Sequence, residues 1–331
     1  MRVAVIGAGA VGGLLAALLD RAGHDVTVTA RGEHLAAIRR DGIVLDGGYG
    51  SHVARVSAGE TLTVAPELAL LATKAQDAEA ALRANARHLE GVALLVVQNG
   101  LGGIRVARSV LPKAPLLGGL ALFASSYLSP GRITVTAALP LVVGAAEGTP
   151  REVLDRVVGI LRPALPIEVV DSLEGAQWTK LLVNHVNALP AITGLSVQET
   201  VAHAGLRRVL ASSLRETVRI ANRIGIRFTG LQGIPGWILP WLGRGPLALT
   251  ERLPLLLAER MGDVPNPGST LQSLRRGQLT EIDFLNGAVV RVAAEHGLGA
   301  PINAALVALV HEVERTGVFL PPAQVVARVA G

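Results

Sequence analysis

A glycine turn close to the start of the chain has the spacing of a dinucleotide-binding loop. The apolar segment 3–6 leads into it, and an uncharged segment rich in Ala and Leu follows it. Glycines at this spacing let bare backbone N–H groups and a helix N-terminus approach a pyrophosphate, and the third glycine lets helix and strand pack closely. The residues that we expect to bind the dinucleotide are Gly7, Ala8, Gly9, Ala10, Val11 and Gly12.

Arg31 follows the second predicted strand, at 25–29, with Ala30 between them. An acid at this position reads the ribose hydroxyls of NAD, whereas an Arg favours the 2′-phosphate of NADP. We therefore expect NADPH as the cofactor. The alternative is that Arg31 is a solvated cation and that Glu33 contacts the ribose.

Two further predicted strands, 68–72 and 92–97, end in polar residues. Lys74 follows the first and Asn99 follows the second. Because ligands bind at the carboxyl ends of parallel strands, Lys74 is a candidate contact for the phosphate or ribose, and Asn99 for the nicotinamide or a substrate group. Spacing alone equally allows a helix-cap lysine and a simple Asn-Gly turn.

Lys180 and Asn184 are the candidates for proton chemistry. Only three of the 31 basic residues are lysines, namely Lys74, Lys113 and Lys180. Lys180 and Asn184 are four residues apart in a predicted helix at 175–189, so both project from one face, and burying them there is costly. The alternative is a lysine that lies at a domain interface and reaches its ammonium into solvent.

The segment 280–287 carries two acids, Glu281 and Asp283, at the start of a predicted helix at 280–296. Two residues two positions apart do not share a helical face. One acid is therefore expected to face a site and the other to meet a structural partner. A helix N-terminal capping cluster is the simpler explanation of the spacing alone.

Taken in order, these features resemble the ketopantoate reductases (2-dehydropantoate 2-reductases) over nearly the full chain. The counterparts are the glycine turn, Arg31, Lys74, Gln98-Asn99-Gly100, Trp178 with Lys180 and Asn184, Ser269, and the segments 280–283 and 286–287.

The resemblance implies that NADPH delivers hydride to the 2-keto carbon of ketopantoate while Lys180 acts as the general acid. It further implies a site between two domains, with a hinge near Val170. The implied cofactor contacts are Arg31, Lys74 and Asn99, and the implied substrate contacts are Asn99, Asn184, Ser269 and Glu281.

The chain departs from the family pattern in two places, both near the implied substrate. Asn187 follows Asn184 by three residues instead of four, and the segment 228–264 is longer than in compact members. Two alternatives therefore stay open: a reductase of another 2-keto acid, and an NADPH-binding regulator without turnover. Intact Lys180 and Glu281 argue against the regulator.

The remaining pattern divides the chain at about residue 170. Strand and helix segments alternate up to that point, which predicts an α/β Rossmann-type domain at 1–170 with a mostly parallel sheet. A short hairpin at 43–45 and 53–56 is expected within it. Helical patterns at 175–189, 205–224, 267–276, 280–296 and 302–315 predict an all-α domain at 171–331, with a Pro-rich insertion at 228–264.

The composition limits the classes of partner and metal that we expect. The net charge is +5, but the basic residues are dispersed among acids, so no nucleic acid partner is expected. The absence of cysteine excludes disulfides and thiolate metal sites, and we predict no metal. The uncharged segment 3–19 is interrupted by glycines and is predicted to be no membrane anchor. We expect a cytoplasmic protein with no integral membrane segment, and the sequence leaves open whether it forms a homodimer.

Overall fold

The computed structural model describes residues 1–260 and 264–330. The chain forms two compact units, Met1–Leu173 and Glu174–Gly331. Residues 261–263, at the end of the predicted insertion, lie outside the described residues, as does Gly331.

The N-terminal unit contains all the strands found in the described residues. They are β1 (Arg2–Ile6), β2 (Asp25–Thr29), β3 (Ile43–Gly47), β4 (His52–Ala54), β5 (Ser57–Gly59), β6 (Leu68–Leu71), β7 (Ala93–Val97), β8 (Leu116–Ala121), β9 (Ala124–Ser129), β10 (Arg132–Ala137), β11 (Leu141–Ala145) and β12 (Ile167–Val169). Its helices are α1 (Ala10–Arg21), α2 (Gly32–Asp41), α3 (Ala78–Leu89), α4 (Gly103–Val110) and α5 (Arg151–Leu161).

Eight strands form the main sheet, in the order β12-β11-β8-β7-β6-β1-β2-β5. Neighbouring strands are parallel except for β8 and β11, which run antiparallel. The chain adds β2 on one side of β1 and β6 on the other, so the strand order reverses at β1. The mostly parallel Rossmann-type sheet is confirmed, and ligands of such sheets bind beside the carboxyl ends of the strands at this reversal.

A second, four-stranded sheet has the order β4-β3-β10-β9. The predicted hairpin is present as the antiparallel pair β3 and β4. Strand β10 pairs with β3 and β9 and does not extend the main sheet. β5 and β9 were not expected, because their sequences Ser-Ala-Gly and Ala-Ser-Ser-Tyr-Leu-Ser lack an apolar run.

Helix α1 packs against strands of both sheets. Its residues 14–19 are fully buried, which explains why the run carries no charge. The segment is a buried core helix, in agreement with the prediction that it is no membrane anchor. No helix in the described part of the chain is long and apolar enough to cross a membrane.

The C-terminal unit is built from helices. Those in the described residues are α6 (Leu173–Asn184), which starts at the boundary, α7 (Ala188–Thr193), α8 (Val197–Ala202), α9 (Ala204–Arg223), α10 (Leu239–Leu242), α11 (Leu247–Thr250), α12 (Arg252–Arg260), α13 (Gly268–Arg275), α14 (Asn286–Glu295), α15 (Pro301–Thr316) and α16 (Pro322–Ala330).

Two predicted helices differ from the structure. The helix expected at 175–189 ends at Asn184, where a 3₁₀ turn at His185–Asn187 leads into α7. The helix expected from residue 280 begins only at Asn286, after a 3₁₀ turn at Ile282–Phe284. The first 3₁₀ turn contains the buried polar residues His185 and Asn187, and in the second the side chain of Asp283 contacts His311.

The short helices α10, α11 and α12 were not expected in the Pro-rich segment. Their prolines lie at or just before the first turn, where no intrahelical N–H bond is lost. Trp237 and Trp241 of this segment are exposed.

A polar cluster in which His185, Thr217 and Asn303 are fully buried joins the 3₁₀ turn after α6 to α9 and α15. His185 contacts the Leu181 carbonyl through Nδ1 at 2.8 Å and Thr217 Oγ1 through Nε2 at 2.8 Å. Burial lowers the pKa of His185 to about 4, so the ring is neutral. Glu216 accepts hydrogen bonds from the backbone N–H and side-chain amide of Asn303 at 2.9 and 2.7 Å, which caps the start of α15.

The tight contact between β1 and α1 yields a stability prediction. A Cβ on Gly12 would overlap the carbonyl oxygen of Gly7 and lie 3.0 Å from Ala72, whereas a Cβ on Gly9 would meet nothing within 4 Å. We expect Gly12→Ala to lower the free energy of unfolding by about 1–3 kcal/mol. Gly9→Ala is the matched control and should stay within about 0.5 kcal/mol of the parent. Urea unfolding followed by circular dichroism measures both, and equal stabilities would contradict the packing argument.

Candidate functional site

The glycine turn is fixed against the end of β2. Gly7 adopts a φ of +92°, and a Cβ there would lie 2.8 Å from the Thr73 backbone nitrogen, so only glycine fits. The N–H of Gly7 donates to Thr29 Oγ1 at 2.9 Å, and the N–H of Ala8 donates to the Thr29 carbonyl at 2.9 Å. The turn is therefore held by β2 on one side and crowded by Thr73 on the other.

The N-terminus of α1 is open. Gly9 is its N-cap residue and has no side-chain cap, and the volume that a Cβ on Gly9 would fill is empty. The first N–H groups of a helix have no intrahelical partners and attract anions. This part of the unit therefore fits the pyrophosphate of a dinucleotide.

The other predicted cofactor residues follow strands that lie side by side. β7, β6, β1 and β2 are consecutive in the sheet, and Asn99, Lys74 and Arg31 follow the carboxyl ends of β7, β6 and β2. The topology brings these three residues to the edge of the sheet that carries the glycine turn. Arg31 is exposed and is the N-cap residue of α2, whereas Lys74 and Asn99 are half-buried.

Gln98 joins two of these loops. Its Nε2 donates to the Thr73 carbonyl at 2.9 Å and lies 3.4 Å from the Lys74 carbonyl. Its Oε1 is buried and has no hydrogen-bond partner in the structure. The side chain thus ties the end of β7 to the end of β6, next to Lys74 and Asn99.

Lys180 is the candidate for proton chemistry in the C-terminal unit. Its side chain as a whole is partly exposed, but burial of the ammonium lowers the pKa of Lys180 to about 8, while the charge of Glu281 opposes the shift. Glu281 lies at the start of the 3₁₀ turn before α14. The unit therefore contains an ammonium group with a pKa of about 8, and the carboxylate of Glu281 favours its charged form.

Asn184 and Ser269 are connected through Asn187. The Nδ2 of Asn187 donates to the Asn184 carbonyl at 3.1 Å, and its Oδ1 accepts the N–H of Ser269 at 3.2 Å. Gly268 has a φ of +70° and lies so close to this amide that a side chain would collide with it. The Nδ2 of Asn184 is buried with no hydrogen-bond partner in the structure. Asn187 thus links the end of α6 to the start of α13.

Helix α15 holds the segment that carries Glu281 at two points. Glu314 accepts the Thr280 N–H at 2.8 Å. His311 lies 2.6 Å from Glu314 Oε2 and 2.9 Å from Asp283 Oδ1. Burial opposes protonation of His311, but the bonds to Glu314 and Asp283 raise its pKa overall.

Glu281 and Asp283 therefore have separate partners. Asp283 meets a structural partner, His311, while Glu281 acts on Lys180. Sequence reasoning missed His311 and Glu314, which lie on α15 about 30 residues away from the segment that they hold. Only a contact in three dimensions connects them, and neither residue belongs to a motif.

The comparisons with known proteins cover both units. The family model described as ketopantoate reductase PanE/ApbA matches residues 3–148, and that of its C-terminal domain matches residues 172–314. The chain belongs to the ketopantoate reductase family. Members named 2-dehydropantoate 2-reductase include one from Pyrococcus horikoshii, 27% identical over 96% of this chain and 99% of its own length. Another, from Archaeoglobus fulgidus, is 28% identical over 95% of this chain and 98% of its own length.

Solved structures agree with this assignment. A ketopantoate reductase family member from Ralstonia eutropha is 30% identical, covers 95% of this chain and 99% of its own, and has a TM-score of 0.81. A D-mandelate dehydrogenase in complex with NADH shares the fold, with a TM-score of 0.81 at 21% identity over 96% of this chain and 99% of its own. This ketopantoate reductase family member is an oxidoreductase of the class that acts on CH–OH groups.

The buried ammonium of Lys180 yields a pH-dependent stability prediction. The pKa of Lys180 falls from 10.5 to about 8 on folding, so the unfolded chain holds more protons between these pH values and stability rises with pH across that window. Lys180→Met removes the buried charge and should raise the free energy of unfolding at pH 7 by roughly 2–3 kcal/mol. The gain should fade between pH 8 and 10.5, where the wild-type lysine becomes neutral in both states.

Lys113→Met is the matched control for this substitution, since Lys113 is exposed. Its effect on stability should stay within about 0.5 kcal/mol. Denaturant unfolding at pH 7, 9 and 10.5 measures all three proteins. A destabilised Lys180→Met protein, or a difference in stability from wild type that does not change between pH 7 and 10.5, would contradict the assigned burial.

Proposed function

We propose that the protein reduces ketopantoate (2-dehydropantoate) to pantoate with NADPH, a step in pantothenate and coenzyme A biosynthesis. The observation that carries the proposal is Lys180, whose pKa of about 8 suits a general acid near neutral pH. Relatives named 2-dehydropantoate 2-reductase that match nearly the whole chain support the choice of substrate. In this proposal residues 1–170 bind NADP and residues 171–331 bind the keto acid.

Lys180 is the proton donor of the proposed reaction. Bound NADPH supplies the hydride that reduces the keto carbon. The ammonium of Lys180 stabilises the negative charge that develops on the substrate oxygen and then transfers its proton there. With a pKa of about 8, roughly nine-tenths of this lysine is protonated at pH 7.

Polar residues around Lys180 orient the substrate. Asn184, Ser269 and Glu281 are proposed to orient the hydroxyl and carboxylate ends of the keto acid, with the Nδ2 of Asn184, which has no hydrogen-bond partner among the described residues, as a donor and the Glu281 carboxylate as an acceptor for the hydroxyl. Asn99 is proposed to lie beside the nicotinamide and the substrate.

Arg31 and Lys74 support NADPH over NADH. Arg31 is exposed at the end of β2, where a 2′-phosphate of the adenosine ribose binds in folds of this type. The D-mandelate dehydrogenase that binds NADH shows that the same fold also accepts the other dinucleotide. In this proposal the preference for NADPH over NADH therefore depends on Arg31, which follows β2, and not on the fold.

A second candidate is the reduction of another 2-keto acid. The departures at Asn187 and at 228–264 both lie in the C-terminal unit, and they affect the proposed substrate side while leaving the glycine turn intact. A non-catalytic NADPH-binding regulator is a less favoured alternative, because it needs neither Lys180 nor Glu281.

A substrate panel tests the choice of keto acid. We expect NADPH oxidation, followed by its absorbance, to be much faster with ketopantoate than with pyruvate or 2-ketoisovalerate. Lys180→Met should lower kcat by roughly 10²–10⁴-fold because the proton donor is lost. Lys113→Met serves again as the control. Equal rates across the panel would refute ketopantoate as the substrate, and tight NADPH binding without turnover would favour the regulator.

Arg31→Asp tests the cofactor preference. Loss of a charge-assisted contact to the 2′-phosphate should narrow the ratio of kcat/KM for NADPH over NADH by roughly 10–100-fold. Glu33→Ala is the control and should leave the ratio unchanged if Arg31 contacts the phosphate. If the ratio changes in Glu33→Ala and stays unchanged in Arg31→Asp, Arg31 is only a surface cation.

A further inference from the structure

His34 bridges the glycine turn and the second sheet. This side chain of α2 lies 2.7 Å from the Ala8 carbonyl oxygen through Nε2, and its Nδ1 accepts the Gly131 N–H at 3.0 Å. Because Nδ1 acts as an acceptor, the proton of the neutral ring is on Nε2, and Nε2–H donates to Ala8. The bridge therefore defines a single tautomer.

The ring of His34 is itself held in place. It packs edge-to-face on Tyr127 of β9, with ring centroids 4.8 Å apart and planes at 89°. Gly131, between β9 and β10, accepts the Val44 N–H of β3 through its carbonyl at 2.8 Å. The imidazole is thus anchored to the second sheet on two sides and extends a single donor towards the turn.

The bond to Ala8 fixes the direction of the next N–H group. In a trans peptide the C=O of one residue and the N–H of the next point in opposite directions. Holding the Ala8 carbonyl against His34 therefore turns the Gly9 N–H the other way. The Ala8 N–H is held at the same time by the Thr29 carbonyl at 2.9 Å, so the peptides on both sides of Ala8 have set orientations.

We propose that His34 is a positioning residue for dinucleotide binding, which orients the Ala8–Gly9 peptide so that the Gly9 N–H meets the pyrophosphate. The inference rests on one part of the proposed function, namely that the chain binds NADPH. His34 does not contact the cofactor and acts through the Ala8 carbonyl.

Three substitutions separate the two hydrogen bonds of His34. His34→Gln places an amide donor near the position of Nε2 and keeps the bond to Ala8. His34→Asn places an acceptor near the position of Nδ1 and keeps only the bond to Gly131. His34→Phe keeps the ring packed on Tyr127 and loses both bonds.

The experiment measures the Kd of NADPH by quenching of protein fluorescence and the Tm of each variant without cofactor. We expect His34→Gln to bind within about threefold of wild type, and His34→Asn and His34→Phe to bind roughly 3–10-fold more weakly. The proposal is supported if NADPH binds more weakly only to the variants that lose the hydrogen bond to Ala8, and if the Tm values of the variants do not show the same pattern.

Two results would overturn the proposal. One is a Kd for His34→Asn equal to that of wild type, and the other is a Kd that follows Tm across the three variants, which would make His34 a purely structural residue. If His34→Phe fails to fold, the Gln and Asn variants still decide the question. Wild-type protein that binds no NADPH would instead refute the proposed function, before the variants are compared.

Discussion

The N-terminal unit depends on the burial of α1 between two sheets. A helix covered on opposite sides has no face for charged residues, and each fully buried leucine contributes about 2 kcal/mol to folding. Close packing also requires glycine at position 12, and a Cβ on Gly13 would lie only 3.0 Å from the Ile133 side chain. The same packing immobilises the helix N-terminus. An anion at the glycine turn therefore meets backbone donors that are already in place, so little ordering accompanies binding.

The C-terminal unit holds its chemical groups by polar contacts. Asn187 ties Ser269 to the end of α6, and His311 with Glu314 holds the segment of Glu281. The pKa of Lys180, lowered by burial, shows that its charged form is disfavoured in the folded chain, which is typical of a group retained for chemistry. Apolar clusters form the cores of both units, whereas hydrogen bonds hold Ser269 and the segment of Glu281 in the second.

The sequence predicted the elements whose pattern is local. The glycine turn, β2 at Asp25–Thr29 and α9 lie where the pattern placed them. Elements without an apolar pattern of their own were missed: β9 is polar and forms by pairing with β10, and the start of the helix expected at 280 is replaced by contacts to α15. For the site, residue types indicated Lys180 and Glu281, but no pattern linked His34 to Ala8 or His311 to Asp283. Side chains that act on a backbone group or a residue far along the chain leave no periodic signal.

The opposing effects on Lys180 bear on selectivity between two reactions of one amine. A neutral lysine amine is a nucleophile that condenses with ketones to give a Schiff base, and burial alone drives Lys180 towards that neutral form. The charge of Glu281 opposes that shift, and at a pKa of about 8 most of the amine is protonated at pH 7. Under the proposed function, the carboxylate of Glu281 would therefore favour proton donation by Lys180 over imine formation with the keto acid.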